Sequence, residues 1–593
     1  MRKKSVTDYD FEWASVGQPT DEQTAEAVSA WLNEHPEATT TVPDNSLTYQ
    51  KLVKGTLGFV TPEMYGAKGD GVTDDRLAII AAIQSGKPVV FDSEAIYAVG
   101  ASIYPTDGGE FAELYGCGCQ IKVIADFDRI FRLVNAVKIS GFKLNMNSHS
   151  IQMGILVNNT NDVVIEDVEI YGLQDINTST SSQMIYINGC RSASLYNISI
   201  HDCTKRANGT IADGPGALNG IYATGYKSIV IDGARIVNNH NVDANGNIVL
   251  EDCDGVYLRN TDEESSSIIQ NVYGYNCGKR LIKSQCTSII VDHIQLYTNE
   301  LDFLAGIAIQ DLENGWGKRA KGIITNSTLV NSYTTSADQS MISTSEDIIV
   351  ANCYIDGGTH NWGIMNSGDL KISNCKMYHN GIYNKGRTIE VDSVYFSGGV
   401  FIVEYSNSST LENTFVINCD LYFVQKYGIN TNFFQHVYGD ALYKNNRIHG
   451  YGRMYVGSTA GITRLEDCEF IDAITGDLID IYGGSLVLRN VTFKAASGTT
   501  GIRAIFLHDA SVACEADNVK VDGGFNYSFV GTGSLNAKNV DMNKVYANNM
   551  EAASLYPEYY DTLPTRAQNG FSCLLKTDGK LYRYTSGAWA AVN

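Results

Sequence analysis

From about residue 120 onward one pattern recurs: alternating apolar residues, an Asn, Asp or Gly turn, then alternation again. It reads DVVIEDVEIYG at 162–172, SASLYNISIHDC at 192–203, KSIVIDGARIVNN at 227–239, SSIIQNVYGYNCG at 266–278 and TSIIVDHIQLYTN at 287–299. It returns as EDIIVANCYIDGG at 346–358, GDLKISNCKMYHN at 368–380, RTIEVDSVYFSGG at 387–399, SLVLRNVTFKA at 485–495 and SVACEADNVKVDGG at 511–524. Period-two alternation of β-branched residues specifies strands rather than helices. Within the runs 162–287, 346–387 and 485–511, neighbouring starts lie 19 to 39 residues apart. One coil of a parallel β-helix takes about 20–25 residues, so the longer intervals mark loops that project from a stack. Only nine prolines interrupt the chain, which suits continuous ladders. A stack grows in one direction, so 593 residues need not divide into several globular domains.

Both ends leave the pattern. Residues 1–57 contain TDEQTAEAVSAWLNEHPEA, a helix expectation with Asp21 as its cap and Pro36 near its end, followed by an extended linker. Residues 58–545 form the expected stack. Its opening stretch, FVTPEMYGAKGDGVTDDRLAIIAAI at 59–83, runs from a strand through a Gly-rich turn into a short amphipathic helix over 76–83. Asp74 and Asp75 suit a helix start, where a carboxylate meets free N–H groups and the positive end of the dipole. Such a helix reads as a lid on the hydrophobic end of the stack. Residues 546–562 read as a linker, and Asp578-Gly579 between two apolar runs predicts a hairpin in a small β tip within 546–593.

GAKGDGVTDD followed by an apolar helix resembles the opening motif of the pectate-lyase-like superfamily of right-handed parallel β-helices, in which phage tailspikes that degrade bacterial surface polysaccharides are prominent. The match runs over 62–83, with Arg76 where that family usually has Thr. The resemblance implies an all-β chain: a right-handed single-stranded parallel β-helix with a short helical head and a small C-terminal β tip. It implies a virion tail protein, assembled in the host cytoplasm and acting outside the cell. The head resembles N-terminal portions of tail-associated proteins of phages, which implies attachment to a tail or baseplate through residues 1–57. The long lateral surface and the tip imply a homotrimer. Lyases, hydrolases and adhesins share the motif, so Asp70, Asp74 and Asp75 read as turn and cap residues.

A formal charge of −22 argues against nucleic acid as the main partner. No apolar run approaches the roughly 20 residues that span a bilayer, so no membrane insertion is expected. The 13 cysteines mostly follow Asn or Asp in strand-like positions, as at Cys253, Cys353, Cys375, Cys419 and Cys468, and read as small buried residues. No Cys/His set has metal-ligand spacing, and no metal or other cofactor is predicted.

A parallel β-helix displays its chemistry in columns across neighbouring coils. Aligning 217–225, 252–260, 278–285 and 304–311 by their apolar residues puts Ile221, Val256, Ile282 and Ile307 inward. One outward column then holds Tyr222, Tyr257, Lys283 and Ala308; a second holds Thr224, Arg259, Gln285 and Gln310; a third holds Asn219, Asp254 and Arg280. Tyr rings can stack on sugars, while Arg, Lys and Gln hold hydroxyls or carboxylates. Asp252/Asp254 and Glu300/Asp302 are each spaced to share one strand face, as paired carboxylates for glycoside hydrolysis should. The expected catalytic set is Glu300 and Asp302 as acid and base, with Asp254 next. The expected substrate-binding set is Tyr222, Tyr257, Arg259, Arg280, Lys283, Gln285, Gln310, Asp311 and Trp362. Asp254 can equally pair with Arg280, and Trp362, on an expected exposed turn, can serve as a sugar platform or as packing. CDG at 253–255 and KRLIK at 279–283 resemble motifs of polygalacturonase-type hydrolases, without that family's adjacent-Asp and Gly-His-Gly motifs. The expected function is binding and cleavage of a bacterial surface polysaccharide by an endo-glycosidase. A uronate lyase using Arg259, Arg280 and Lys283 comes second and a non-cleaving adhesin third.

Overall fold

The computed structural model describes residues 58–552 apart from 106–111, 159–160, 208–215, 250–251, 261–264, 300–304, 311–320, 333–339, 346, 359–361, 405–412, 424–431, 451, 475 and 541–544. It also describes residues 2–3 and 11–12 and, near the C-terminus, 558–560, 562–563, 572–575, 577–578, 580–585 and 587–592. The helix expected near Asp21 lies outside them.

Strands from Asp70 to Ala552 join in one 45-stranded hydrogen-bonded assembly. Each strand pairs in parallel with its counterpart one coil on, as Leu218–Thr224 does with Cys253–Asn260 and that strand with Arg280–Cys286. The chain is a right-handed parallel β-helix. Each coil contributes to three sheets. In a central coil Cys253–Asn260 belongs to the first, Ser266–Gln270 to the second and Tyr273–Tyr275 to the third.

The core is a set of inward columns. Ile155, Ile185, Ile221, Val256, Ile282, Ile307, Ile342 and Ile364 follow one another through successive pairings. None of the eight exposes any surface, and each such burial is worth about 1.5–3 kcal/mol. The corner from second to third sheet turns on one left-handed residue per coil, including Asn197, Asn271, Asn326, Asn352, Asn374, Asn418, Asn445, Asn490 and Asn518. Asn tolerates that conformation because its short side chain bonds locally. Here it bonds along the stack: Asn445 Nδ2 donates to Asn418 Oδ1 at 2.8 Å, and Asn418 Nδ2 to Asp392 Oδ1 at 2.9 Å. Cys353, Cys375, Cys419 and Cys468 each follow such a residue and turn inward, buried.

At the N-terminal end a helix spans Arg76–Ile83 and buries Ile79, Ala82 and Ile83. Leu77 of the same helix is exposed. Asp75 is the cap residue, yet its carboxylate accepts from Lys68 N at 2.6 Å and Gly69 N at 3.1 Å, not from the helix. Asp74 Oδ1 accepts from Arg76 N at 3.1 Å instead. Near the C-terminus Glu558–Tyr560, Ser572–Leu575, Leu581–Thr585 and Ala588–Ala591 form a separate four-stranded sheet.

Candidate functional site

The apolar alignment of the central coils gives the observed register. Tyr222, Tyr257, Lys283 and Ala308 stand in one column, and Asn219, Asp254, Arg280 and Ala305 in another. Thr224, Arg259 and Gln285 form the third. Gln310, whose N–H donates to Ser284 O, continues it and is half-buried.

The columns differ from an open sugar-binding face in burial. Tyr257, Lys283, Arg280, Asp254 and Gln285 expose 7% or less, whereas Arg259 is exposed and Tyr222 half-buried. Two outward residues on one strand are set apart by what packs over them, which strand alternation does not encode.

Within the buried part, charges converge. Arg280 Nε donates to Asp254 Oδ1 at 2.6 Å and its Nη2 to Asp254 Oδ2 at 3.3 Å. Its Nη2 also reaches Asp252 Oδ1, to which Lys279 Nζ donates at 3.0 Å. Lys283 Nζ lies 3.6 Å from Asp252 Oδ2. Burial pushes the Asp254 carboxyl above its usual value, Arg280 pulls against this, and Asp252 adds to it.

An aromatic ladder leads to this cluster. Tyr186 packs on Tyr222 with centroids 5.0 Å apart, and Tyr222 on Tyr257 at 5.1 Å. Lys283 Nζ lies 4.3 Å from the Tyr257 ring centroid, a cation–π contact, and Tyr257 OH donates to Gln285 Oε1 at 2.5 Å. Tyr186 was not among the expected residues, although its place directly after Ile185 repeats that of Tyr222 after Ile221.

The glycine of CDG has a packing reason. A Cβ on Gly255 would stand 2.7 Å from Leu281 O, and one on Gly220 would stand 2.5 Å from Gly255 O. Close stacking at this position accounts for Gly255 without any chemistry. Trp362 is the first residue of the strand Trp362–Asn366, not part of a projecting turn. It extends the Arg280 column through Ala305 and Ser340 and packs on Tyr383 at 5.3 Å. Glu300, Asp302 and Asp311 lie outside the described residues.

A second buried network, absent from the sequence expectations, fixes a nearby corner. Lys205 Nζ donates to Asp175 Oδ2 at 2.6 Å and to Asn177 O at 2.5 Å, and Ser182 Oγ donates to Asp175 Oδ2 at 2.5 Å. Ser150 Oγ donates to the other carboxylate oxygen. Burial pushes the Asp175 carboxyl up, but three side-chain donors outweigh it and hold it below the usual value. Burial also depresses Lys205, whose one carboxylate partner does not compensate.

No family model matches the chain. Solved structures of similar shape include the tailspike protein gp49 of Pseudomonas phage LKA1, 13% identical, covering 77% of this chain and 84% of its own, with a TM-score of 0.35. The bacteriophage Phi29 gene product 12 N-terminal fragment is 12% identical over 96% of this chain and 100% of its own, with a TM-score of 0.34. The Azotobacter vinelandii mannuronan C-5 epimerase AlgE4 A-module is 15% identical over 76% and 98%, with a TM-score of 0.33. At such scores these likenesses bear on neither site nor substrate. The fold rests on the observed strand register.

Proposed function

We propose that the protein is a tailspike-like depolymerase that binds and cleaves a bacterial surface polysaccharide as an endo-glycosidase. The observation that carries this reading is the first-sheet face: a tyrosine ladder running into a buried Asp252/Asp254 pair clamped by Arg280. In the proposed mechanism Glu300 and Asp302 serve as acid and base, with Asp254 as the third carboxyl. Tyr222, Arg259 and Gln310, which keep exposed surface, meet the sugar, with the buried Tyr257 and Gln285 supporting them from behind, and Asp311 and Trp362 complete the proposed binding set. Cleavage then needs one carboxyl protonated and one ionised. The convergence of Lys279, Arg280 and Lys283 on Asp252 favours a second reading, a lyase, because cations that neutralise a uronate carboxylate ease removal of the adjacent proton.

The proposed setting is a virion tail, with residues 1–57 as the attachment head, the stack as the working part and the remainder to 593 as linker and tip; the strand Val545–Ala552 pairs with Phe525–Val540, so the stack runs past the boundary expected at 545 into the stretch expected to be a linker. A homotrimer is supported by an in-register row of Ile290, Ile323 and Ile349 on the second sheet, exposed by 40%, 38% and 41%. Lys321, Asp347, Asp369 and Lys371 flank that row and offer both charges to another copy.

The test is depolymerisation of capsules from candidate hosts by Glu300→Gln, Asp302→Asn and Asp254→Asn. A true acid or nucleophile should lose orders of magnitude in rate while binding persists. If all three variants keep near-full activity, the hydrolase assignment at this site is wrong. Products carrying an ultraviolet-absorbing unsaturated uronate, together with loss of cleavage in Lys283→Ala, would install the lyase reading. An intact polymer would leave the adhesin.

A further inference from the structure

The last coils of the first sheet repeat the plan of the central ones. In the central coils Asp254 and Arg280 stand two residues before the inward Val256 and Ile282. Tyr257 stands one residue after Val256, and Arg259 and Gln285 stand three after the inward residues. Around the inward Ile479 and Ile505, Asp477 and Arg503 take the first place, and Asp480 and Phe506 the second. Tyr482 and His508 take the third, and Tyr455 precedes Asp480 in the second column.

The side chains interlock. Arg503 Nη2 donates to Asp477 Oδ2 at 2.6 Å, and Arg453 Nη1 to Asp480 Oδ2 at 2.6 Å. His508 Nε2 lies 2.9 Å from Asp480 Oδ1. Tyr455 packs on Tyr482 at 5.1 Å, and Tyr482 lies flat on His508 at 3.9 Å and 11°. Phe506 meets His508 at 3.8 Å, and the Arg503 guanidinium lies 4.6 Å from the Phe506 ring centroid. The ring stack ends at His508, because one residue past the Leu507–Gly531 pair the next coil offers Thr532 where a further ring would stand.

Two contrasts with the central cluster decide what this place can do. It is open: the side chains of Arg453, Arg503 and His508 are 35%, 37% and 25% exposed, against 5% and 1% for Arg280 and Lys283. Its described charges also balance, two arginines against two aspartates, so it offers no excess charge to an ionic ligand. What remains is a row of fixed donors and acceptors beside a stacked aromatic edge. That combination suits the hydroxyls and apolar face of an uncharged pyranose.

We infer that these coils form a second saccharide-binding site, taking a neutral hexose unit of the polymer on the same face as the central cluster. Arg503 and Arg453, held by Asp477 and Asp480, donate to ring hydroxyls, and His508 closes the aromatic edge against the sugar. The site rests on the polysaccharide reading for its natural ligand, but it can be tested without it.

The probes are the methyl glycosides of glucose, galactose, mannose and N-acetylglucosamine, followed by saturation-transfer NMR on the full chain. At least one should receive saturation. His508→Ala and Arg503→Ala should each weaken it about tenfold or more, while Arg489→Ala, on the second sheet, should leave it unchanged. Arg503→Lys keeps the charge but loses the fork, and should also weaken binding without loss of fold. Transfer to none of the four probes, or transfer undiminished in His508→Ala and Arg503→Lys with unchanged melting, would show that these are structural ion pairs only. Host-polymer cleavage, measured alongside, separates the two readings. Cleavage without glycoside binding removes this site alone, and glycoside binding without any polymer binding removes the depolymerase alone.

Discussion

At the scale of single residues, the corner asparagines and one buried ion pair make the clearest predictions. Asn418 is left-handed with φ of 56° and bonds to the coils on both sides. Asn418→Ala forfeits the local tolerance and two hydrogen bonds, and should cost about 2–3 kcal/mol, read as a fall in melting temperature. Lys205→Met leaves the Asp175 carboxylate buried without its cation and should cost about 3–5 kcal/mol. The pH dependence follows from the direction of the Asp175 shift. Its folded pKa lies below the reference 3.8, so its stabilisation is complete above that value and is lost as pH falls through the lower folded one. Below about pH 4 the melting temperature of the native protein should therefore drop more steeply than that of Asp175→Asn. The corner asparagines were visible in the sequence as Asn-Cys and Asn/Asp turn signals. The Asp175–Lys205 pair was not, since the two lie 30 residues apart in the chain and meet only through the coil stack.

At the scale of elements, the first sheet was readable in register and unreadable in exposure. Ile221, Val256, Ile282 and Ile307 announced the inward face, and a period of two then placed every outward residue. Whether an outward residue meets solvent depends on segments distant in sequence, so Lys283 and Arg259, both outward, end up buried and exposed respectively. The same limit applies to Asp75, whose place at a helix start was legible while its true partners, Lys68 and Gly69, were not. Because the Asp75 carboxylate ties the Gly-rich loop rather than the helix, Asp75→Ala should loosen that loop. The expected result is a loss of about 1–3 kcal/mol and faster hydrogen exchange at the amides of Lys68 and Gly69. A helix-cap role alone would instead speed exchange in the first turn of 76–83.

At the scale of the whole molecule, each coil touches only its neighbours, so stability accumulates along the stack and its ends are the places to fray. The isoleucine row on the second sheet makes a prediction at this scale. The native chain should scatter light as a trimer at micromolar concentration, and Ile323→Lys should shift it toward monomer without lowering the melting of the isolated coils. A monomeric native chain would remove the lateral association. The repeated placement of side chains at two before, one after and three after the inward residue has a further consequence. Nine successive pairings separate Asp254 from Asp477 along the first sheet, a span of roughly 40 Å at about 4.8 Å per coil. The face is thus graduated like a ruler, with contacts available only at whole multiples of one division. A stiff polymer whose repeat is commensurate with that division can meet both marks at once. One with an incommensurate repeat slips out of phase between them, whatever its sugars, so the pitch of the backbone itself becomes a filter on what the molecule holds.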